Sequence, residues 1–206
     1  MVGRGHAHGV DLDATFDFLN TLDIDAGVHV ERLADLEDAL SWFVERRVIH
    51  GEGADRARAR AATQPALATR DLDHVRGVRD AMREVAEAIV QRRAPRRSAL
   101  QTVNKALHAR QVIELIPSHD GVNVDHRHVG DPIDDALARL ADPLVSELTA
   151  GHPERIRVCA GDTCRWIFYD ASRTSRRRWC DMSTCGNRAK AARHRARARS
   201  ERQEAP

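Results

Sequence analysis

Cys159, Cys164, Cys180 and Cys185 are the four cysteines of a 206-residue chain, and all fall within 27 consecutive positions. Thiolates serve as nucleophiles, redox groups or metal ligands, and spacing helps to choose among these roles. Cys-x4-Cys-x15-Cys-x4-Cys is two short pairs joined by a longer loop. Such an arrangement offers tetrahedral zinc four ligands at about 2.3 Å with little chain entropy left to lose. Four thiolates would close the coordination sphere, so one structural Zn2+ is expected. A catalytic zinc would keep an open position beside a general base. Two disulfides, or a thiol and zinc redox sensor, would use the same four residues. The start "MVGRGHAHGVDLDATF" has no apolar run behind a basic end, and no stretch of about 18 apolar residues occurs, so a cytoplasmic protein without a membrane partner is expected. In a reducing compartment, clustered cysteines favour metal over disulfides.

The cysteines sit in the most basic part of the chain. Residues 151–206 hold 14 Arg and Lys against 6 Asp and Glu, an excess of +8, whereas the residues before them carry an excess of −6. Four thiolates on Zn2+ sum to −2, which leaves the C-terminal part at about +6. Arg173, Arg176, Arg177 and Arg178 precede the third cysteine. Arg188, Lys190, Arg193 and Arg195 follow the fourth, in "RAKAARHRARARSERQ", a strong helix former by propensity. On a helix, Arg188, Arg195, Arg199 and Arg202 share one face, and Lys190, Arg193 and Arg197 an adjacent one. Alanine is the largest apolar residue between them, so this helix gains little from a core and suits the phosphate-lined major groove of double-stranded DNA. Single-stranded RNA is the competing partner, since Trp166, Phe168, Tyr169 and Trp179 could stack on bases. A zinc-stapled protein-interaction module or a solvated tail would bind no nucleic acid. Gly186 is expected to take a positive φ, and Asn187 to cap the helix.

The elements that must position these groups are mostly helices. "ERLADLEDALSWFVERRV" repeats Leu33, Leu36, Leu40, Phe43, Val44 and Val48 at helical spacing. A longer helix is predicted after Thr63, with Pro65 in its first turn and Val75, Val78, Met82, Val85 and Ile89 as its stripe. The charges of "TRDLDHVRGVRD" read as its solvated face. "RRSALQTVNKALHARQ" continues the helical pattern more weakly, and "RARARAAT" is only compositionally biased. A hairpin is predicted at about 112–116 and 122–129, then a helix from Asp131 that Pro143 kinks or ends. "RWIFYD" is a β-type run inside the cysteine loop. The fold class is therefore mainly α with a small β-hairpin (α+β). Residues 10–150 would form a helical domain, and residues 154–200 a zinc-ribbon or treble-clef-like module ending in a basic helix.

"VCAGDTCRWIFYDASRTSRRRWCDMSTCGNRAK" resembles the CGNR-type zinc finger, whose tetrapeptide stands here as Cys185, Gly186, Asn187 and Arg188. "FDFLNTLD", residues 16–23, and "LADLEDALSWFVERRVI" resemble the ABATE domain that usually precedes this finger. The resemblance implies a bacterial, stress-related transcription regulator with a nucleic-acid-binding finger behind a helical sensory domain. It carries the ligand roles to Cys159, Cys164, Cys180 and Cys185. In "FDFLNTLD" the polar Asn20 and Thr21 interrupt an apolar, helix-like pattern. They could serve a small-molecule effector, or Asn20 could simply tie two helices together. Homo-oligomerisation is left open. The histidines of "GHAHG" and "DHRH" have no partner at ligand spacing and read as exposed. The sequence contains no P-loop, G-x-G-x-x-G or G-x-S-x-G, and an enzyme is not expected.

Overall fold

The computed structural model describes residues 10–25, 28–108, 111–119, 121–128 and 130–203. Helix α1 (Leu12–Leu19) starts at Asp11, whose carboxylate accepts from the Ala14 N–H at 2.8 Å, and it buries Phe16, Phe18 and Leu19. The apolar pattern runs on past Leu19, but the chain leaves the helix at Asn20, and Thr21 Oγ1 donates to the Phe18 carbonyl at 2.7 Å. Short polar side chains compete for backbone groups in this way. Next comes a hairpin that the sequence did not announce, β1 (Leu22–Asp25) antiparallel to β2 (Val28–Glu31).

Helix α2 (Leu36–Glu45) carries the predicted stripe, with Leu36, Leu40 and Phe43 buried and Leu33 and Val48 buried at its flanks. The arginine-rich segment is a helix of its own, α3 (Gly51–Thr63). Its Arg60 pairs with Asp71 at 2.6 Å and also with Asp131, which ties it to the helices on either side. The long helix α4 (Pro65–Val90) begins at Pro65 and buries Val75, Val78, Met82 and Val85.

Part of its charged face is not solvated. Arg79 is 1% exposed and grips Glu31 with both terminal nitrogens, at 2.6 and 2.7 Å. Arg76 donates to the carbonyls of Leu33 (2.6 Å) and Ala34 (2.9 Å), and Arg83 to those of Leu19 (3.1 Å) and Leu22 (3.3 Å). These carbonyls lie where α1 ends and the β1–β2 hairpin begins and leaves. A guanidinium, with five donors in one plane, can satisfy several of them at once.

Helix α5 (Arg97–Leu107) leads into the hairpin of β3 (Gln111–Ser118) and β4 (Gly121–His128). Helix α6 (Pro132–Ala150) is capped by Asp131, which accepts from the Ile133 N–H at 2.9 Å. It runs through Pro143 rather than ending there. Leu137, Leu140 and Leu144 are fully buried along it, and that packing outweighs one lost backbone donor. The short strands β5 (Ile156–Val158) and β6 (Ile167–Tyr169) pair antiparallel. Their Ile156 and Ile167 lie in the same core as Phe18, Phe43, Met82 and Leu140. The C-terminal hairpin therefore completes the helical core instead of standing apart from it. The fold is mainly α with small antiparallel strand pairs, as expected.

A candidate metal centre and the basic surface around it

The loop between β5 and β6 carries Cys159 and Cys164. Cys159 N–H donates to the Trp166 carbonyl at 2.7 Å, and Cys164 N–H to that of Gly161 at 3.1 Å. A Cβ on Gly161 would stand 3.3 Å from Cys164 Cβ and 3.6 and 3.7 Å from the sulfurs of Cys159 and Cys185. Glycine thus lets the backbone come close to the sulfurs. The second pair is brought alongside by Ala160 N–H, which donates to the Arg178 carbonyl at 2.8 Å. Cys185 lies in a wide helical turn, Met182–Gly186, that runs directly into helix α7 (Asn187–Gln203).

This turn corrects two expectations. Asn187 is already helical, at φ −68° and ψ −38°, so Asp181 is the cap: its Oδ1 accepts from the Thr184 N–H at 2.8 Å. Asn187 instead donates its side-chain amide to the Ser183 carbonyl at 3.0 Å. Nor is Gly186 at positive φ. A Cβ there would meet the thioether of the exposed Met182 side chain and stand 3.2 Å from Trp179. The helix starts a turn earlier than the propensities suggest because an aspartate is available to cap it.

All four sulfurs lie within 4.8 Å of one another, with Cys164 to Cys180 at 3.6 Å and Cys180 to Cys185 at 3.8 Å. A disulfide needs about 2.05 Å. Sulfurs at about 2.3 Å around one tetrahedral zinc stand about 3.8 Å apart, which these separations match. Cys159, Cys164 and Cys185 are buried and Cys180 is half-buried. Burial acts to raise the thiols of Cys159, Cys164 and Cys180. At Cys159 the backbone N–H groups of Cys180 and Gly161 outweigh it, and the pKa is lowered. Burial pushes Cys164 up to about 12, and it raises Cys180 further, with the neighbouring Cys159 adding its charge. Four thiolates packed this closely repel one another unless a cation lies between them, so the donor set fits one structural zinc ion. Among the described residues this is the one group of three or more His, Cys, Asp or Glu that could hold a metal. "GHAHG" and the side chains of "DHRH" lie outside them.

Arg173, Arg176, Arg177, Arg178, Arg188, Lys190, Arg193 and Arg195 are all exposed. Their engagements differ. Arg177 stacks on Phe168 at 5.0 Å and donates to the Cys180 carbonyl at 2.5 Å, so its guanidinium is committed to the module. Arg178 lies over Trp179 at 5.0 Å, and Arg188 donates to Thr163 Oγ1 at 2.9 Å. The loop bearing the first arginine cluster is organised by Asp170, a fully buried residue that sequence reasoning missed. Its carboxylate accepts from the N–H groups of Ser172 (3.0 Å) and Arg177 (2.7 Å). Between the Cys159–Cys164 loop and α7 runs an open groove of about 410 Å³, edged by Arg178, Arg188 and Arg193 and floored by Trp179, Ala189 and Ala192.

Asn20 and Thr21 are buried and hydrogen-bonded within the fold. Asn20, 5% exposed, donates to the Ile167 carbonyl at 2.8 Å and accepts from the Ile167 N–H at 2.9 Å. Thr21 is occupied by the Phe18 carbonyl and by Arg79, which donates to its hydroxyl at 3.3 Å. A buried asparagine had to find hydrogen bonds, and it found them on a strand 147 residues away. Beside it, Trp166 donates its indole N–H to Asp23 at 2.6 Å, and Arg83 donates to the Arg165 carbonyl at 2.7 Å. No local signal marked Asp23 or Arg83.

No helix among the described residues is long and apolar enough to cross a membrane. Residues 12–151 match the family model of ABATE, described as "putative stress-induced transcription regulator", and residues 155–198 match that of the CGNR zinc finger. Neither description is of an enzyme. No curated protein matches the chain.

Proposed function

Since the chain belongs to the ABATE family and carries a CGNR zinc finger, we propose that it is a zinc-dependent transcription regulator that binds double-stranded DNA through the finger, in the cytoplasm. One observation carries this reading: α7 starts two residues after Cys185 and leaves Arg188, Lys190, Arg193 and Arg195 exposed. Zinc bound by Cys159, Cys164, Cys180 and Cys185 would hold that helix and the loop of Arg173, Arg176 and Arg178 as one basic unit. Two arginine clusters on one metal-pinned frame suit a duplex backbone, and each phosphate they neutralise releases counterions.

The aromatics favour DNA over single-stranded RNA. Phe168 is buried beneath Arg177, Tyr169 packs against the helical core, Trp166 packs against the cysteine cluster, and Arg178 lies over Trp179, which leaves little open ring face for unstacked bases. The helical part would sense a signal. With Asn20 and Thr21 engaged internally, a small effector would have to be read elsewhere. The recess of about 220 Å³ lined by His74, Lys105, His108 and Asp134 is where such binding should be sought.

The test is metal analysis combined with titration of labelled duplex DNA and single-stranded RNA of equal length, at low and physiological salt, with and without chelator. Stoichiometric zinc and duplex binding that disappears on chelation support the proposal. Preference for RNA, or no nucleic-acid binding at low salt, rejects it.

A further inference from the structure

The metal centre is joined to the helical part of the chain through three consecutive residues, Arg165, Trp166 and Ile167, directly after the ligand Cys164. The Arg165 carbonyl accepts from Arg83 at 2.7 Å. The Trp166 indole donates to Asp23 at 2.6 Å. Ile167 exchanges both backbone groups with Asn20, at 2.8 and 2.9 Å. These residues also set the sulfurs. Arg165 has φ 61°, a left-handed conformation that a non-glycine residue keeps only where its surroundings over-determine it, and this bend turns the chain away from Cys164. The Trp166 carbonyl receives the Cys159 N–H at 2.7 Å and so fixes the first ligand against the second.

The residues that hold this segment are themselves held. Arg83 is anchored on the Leu19 and Leu22 carbonyls and pairs with Glu87 at 3.3 Å. Asp23 is braced by Arg32 at 2.6 Å. Asn20 sits at the buried end of α1. None of the three touches a sulfur, yet each fixes a backbone or indole group that orients one.

We infer that Asn20, Asp23 and Arg83 are positioning residues of the metal centre, so that the helical domain sets the zinc affinity of the finger. Groups that orient ligands from outside the coordination sphere commonly change metal affinity by about 10- to 100-fold. By linkage, zinc must then stabilise the helical domain in return. The inference rests on the zinc reading alone and is independent of DNA binding.

The test uses the full chain with Trp166→Phe, Arg83→Met and Arg83→Lys. Trp166→Phe keeps an aromatic ring and removes the N–H donor, while Arg83→Met keeps an apolar stem and removes the guanidinium. Zinc affinity is measured by competition with a chromophoric chelator, and thermal unfolding is followed with and without metal. Trp166→Phe and Arg83→Met should each weaken zinc about tenfold and shrink the zinc-induced rise in unfolding temperature, with partial recovery in Arg83→Lys. Zinc affinity within about twofold of wild type in both variants would overturn the inference. So would equal destabilisation of the metal-free and zinc-loaded chains, which would mean that the contacts serve the helical fold alone. A wild-type chain that took up no zinc would sink the metal reading itself, and this inference with it.

Discussion

The side-chain amide of Asn20 pairs with the backbone of Ile167 as a neighbouring strand would, donating at 2.8 Å and accepting at 2.9 Å. One residue at the end of the first helix thereby closes the edge of a strand that belongs to the metal-binding hairpin. Both Ile167 groups are buried, so their alternative to Asn20 is no partner at all.

Asn20→Ala should therefore destabilise the zinc-loaded chain by about 2–4 kcal/mol, because a buried N–H and a buried carbonyl both lose their partner. Asn20→Asp should not rescue it, since a carboxylate cannot donate to the Ile167 carbonyl. Urea unfolding of the three chains at equal zinc measures this.

The Arg79–Glu31 pair makes a pH prediction. Burial acts to raise the Glu31 pKa, but hydrogen bonds from Arg79 and from the Leu33 N–H outweigh it and hold the carboxyl below the usual glutamate range. A pKa lowered in the folded state adds stability above the unfolded value of about 4.3, and that stability is lost as pH falls through the folded value. Wild type should exceed Glu31→Gln in stability at pH 7, and the gap should shrink as pH falls below the unfolded value of about 4.3. Urea midpoints taken with chelator present at each pH keep zinc out of the comparison.

Removing any one ligand should abolish stoichiometric zinc. Cys164→Ser is the cleanest case, because Cys164 is buried and its sulfur lies 3.6 Å from that of Cys180. Tryptophan emission should change with it, since Trp166 and Trp179 pack against the cysteine cluster. Far-ultraviolet circular dichroism should keep most of its helical signal, which comes from α1 to α6. Metal content and the two spectra, recorded on one preparation, check all three statements.

Arg193→Ala with Arg195→Ala should lower the slope of log affinity against log salt on duplex DNA by up to about 1.8, at about 0.9 per phosphate contact. Both side chains are exposed and neither touches the metal site, so zinc content should not move. Arg177→Ala should behave differently and disturb the module first, because its guanidinium is spent on Phe168 and the Cys180 carbonyl.

Gly186→Ala should cost little zinc affinity, because the exposed Met182 side chain can turn aside and Trp179 stands at 3.2 Å, and Met182→Ala should relieve what loss there is. Chelator competition on the single and double variants measures the coupling.

Much of this protein could be read from its sequence, for reasons of period and spacing. The stripe of Val75, Val78, Met82 and Val85 implied α4, Asp131–Pro132 marked the start of α6, and the cysteine spacing implied a four-sulfur site. What could not be read was the fate of polar residues inside these patterns. Arg76 and Arg79 looked like a wet helix face, and Asn20 could have met a ligand or tied two helices together. Asp181 had no visible claim to cap a helix that Asn187 seemed to begin.

The sequence alone determined most of the helical segments, which four cysteines gather, and where positive charge is concentrated. These depend on neighbours within a few turns of chain. Only the tertiary structure decided that the finger hairpin completes the helical core, and that Asn20, Asp23 and Arg83 reach the segment after Cys164. Those contacts join positions 82 to 147 residues apart. A buried polar group must find a partner, but which distant backbone supplies it is settled only when the elements pack.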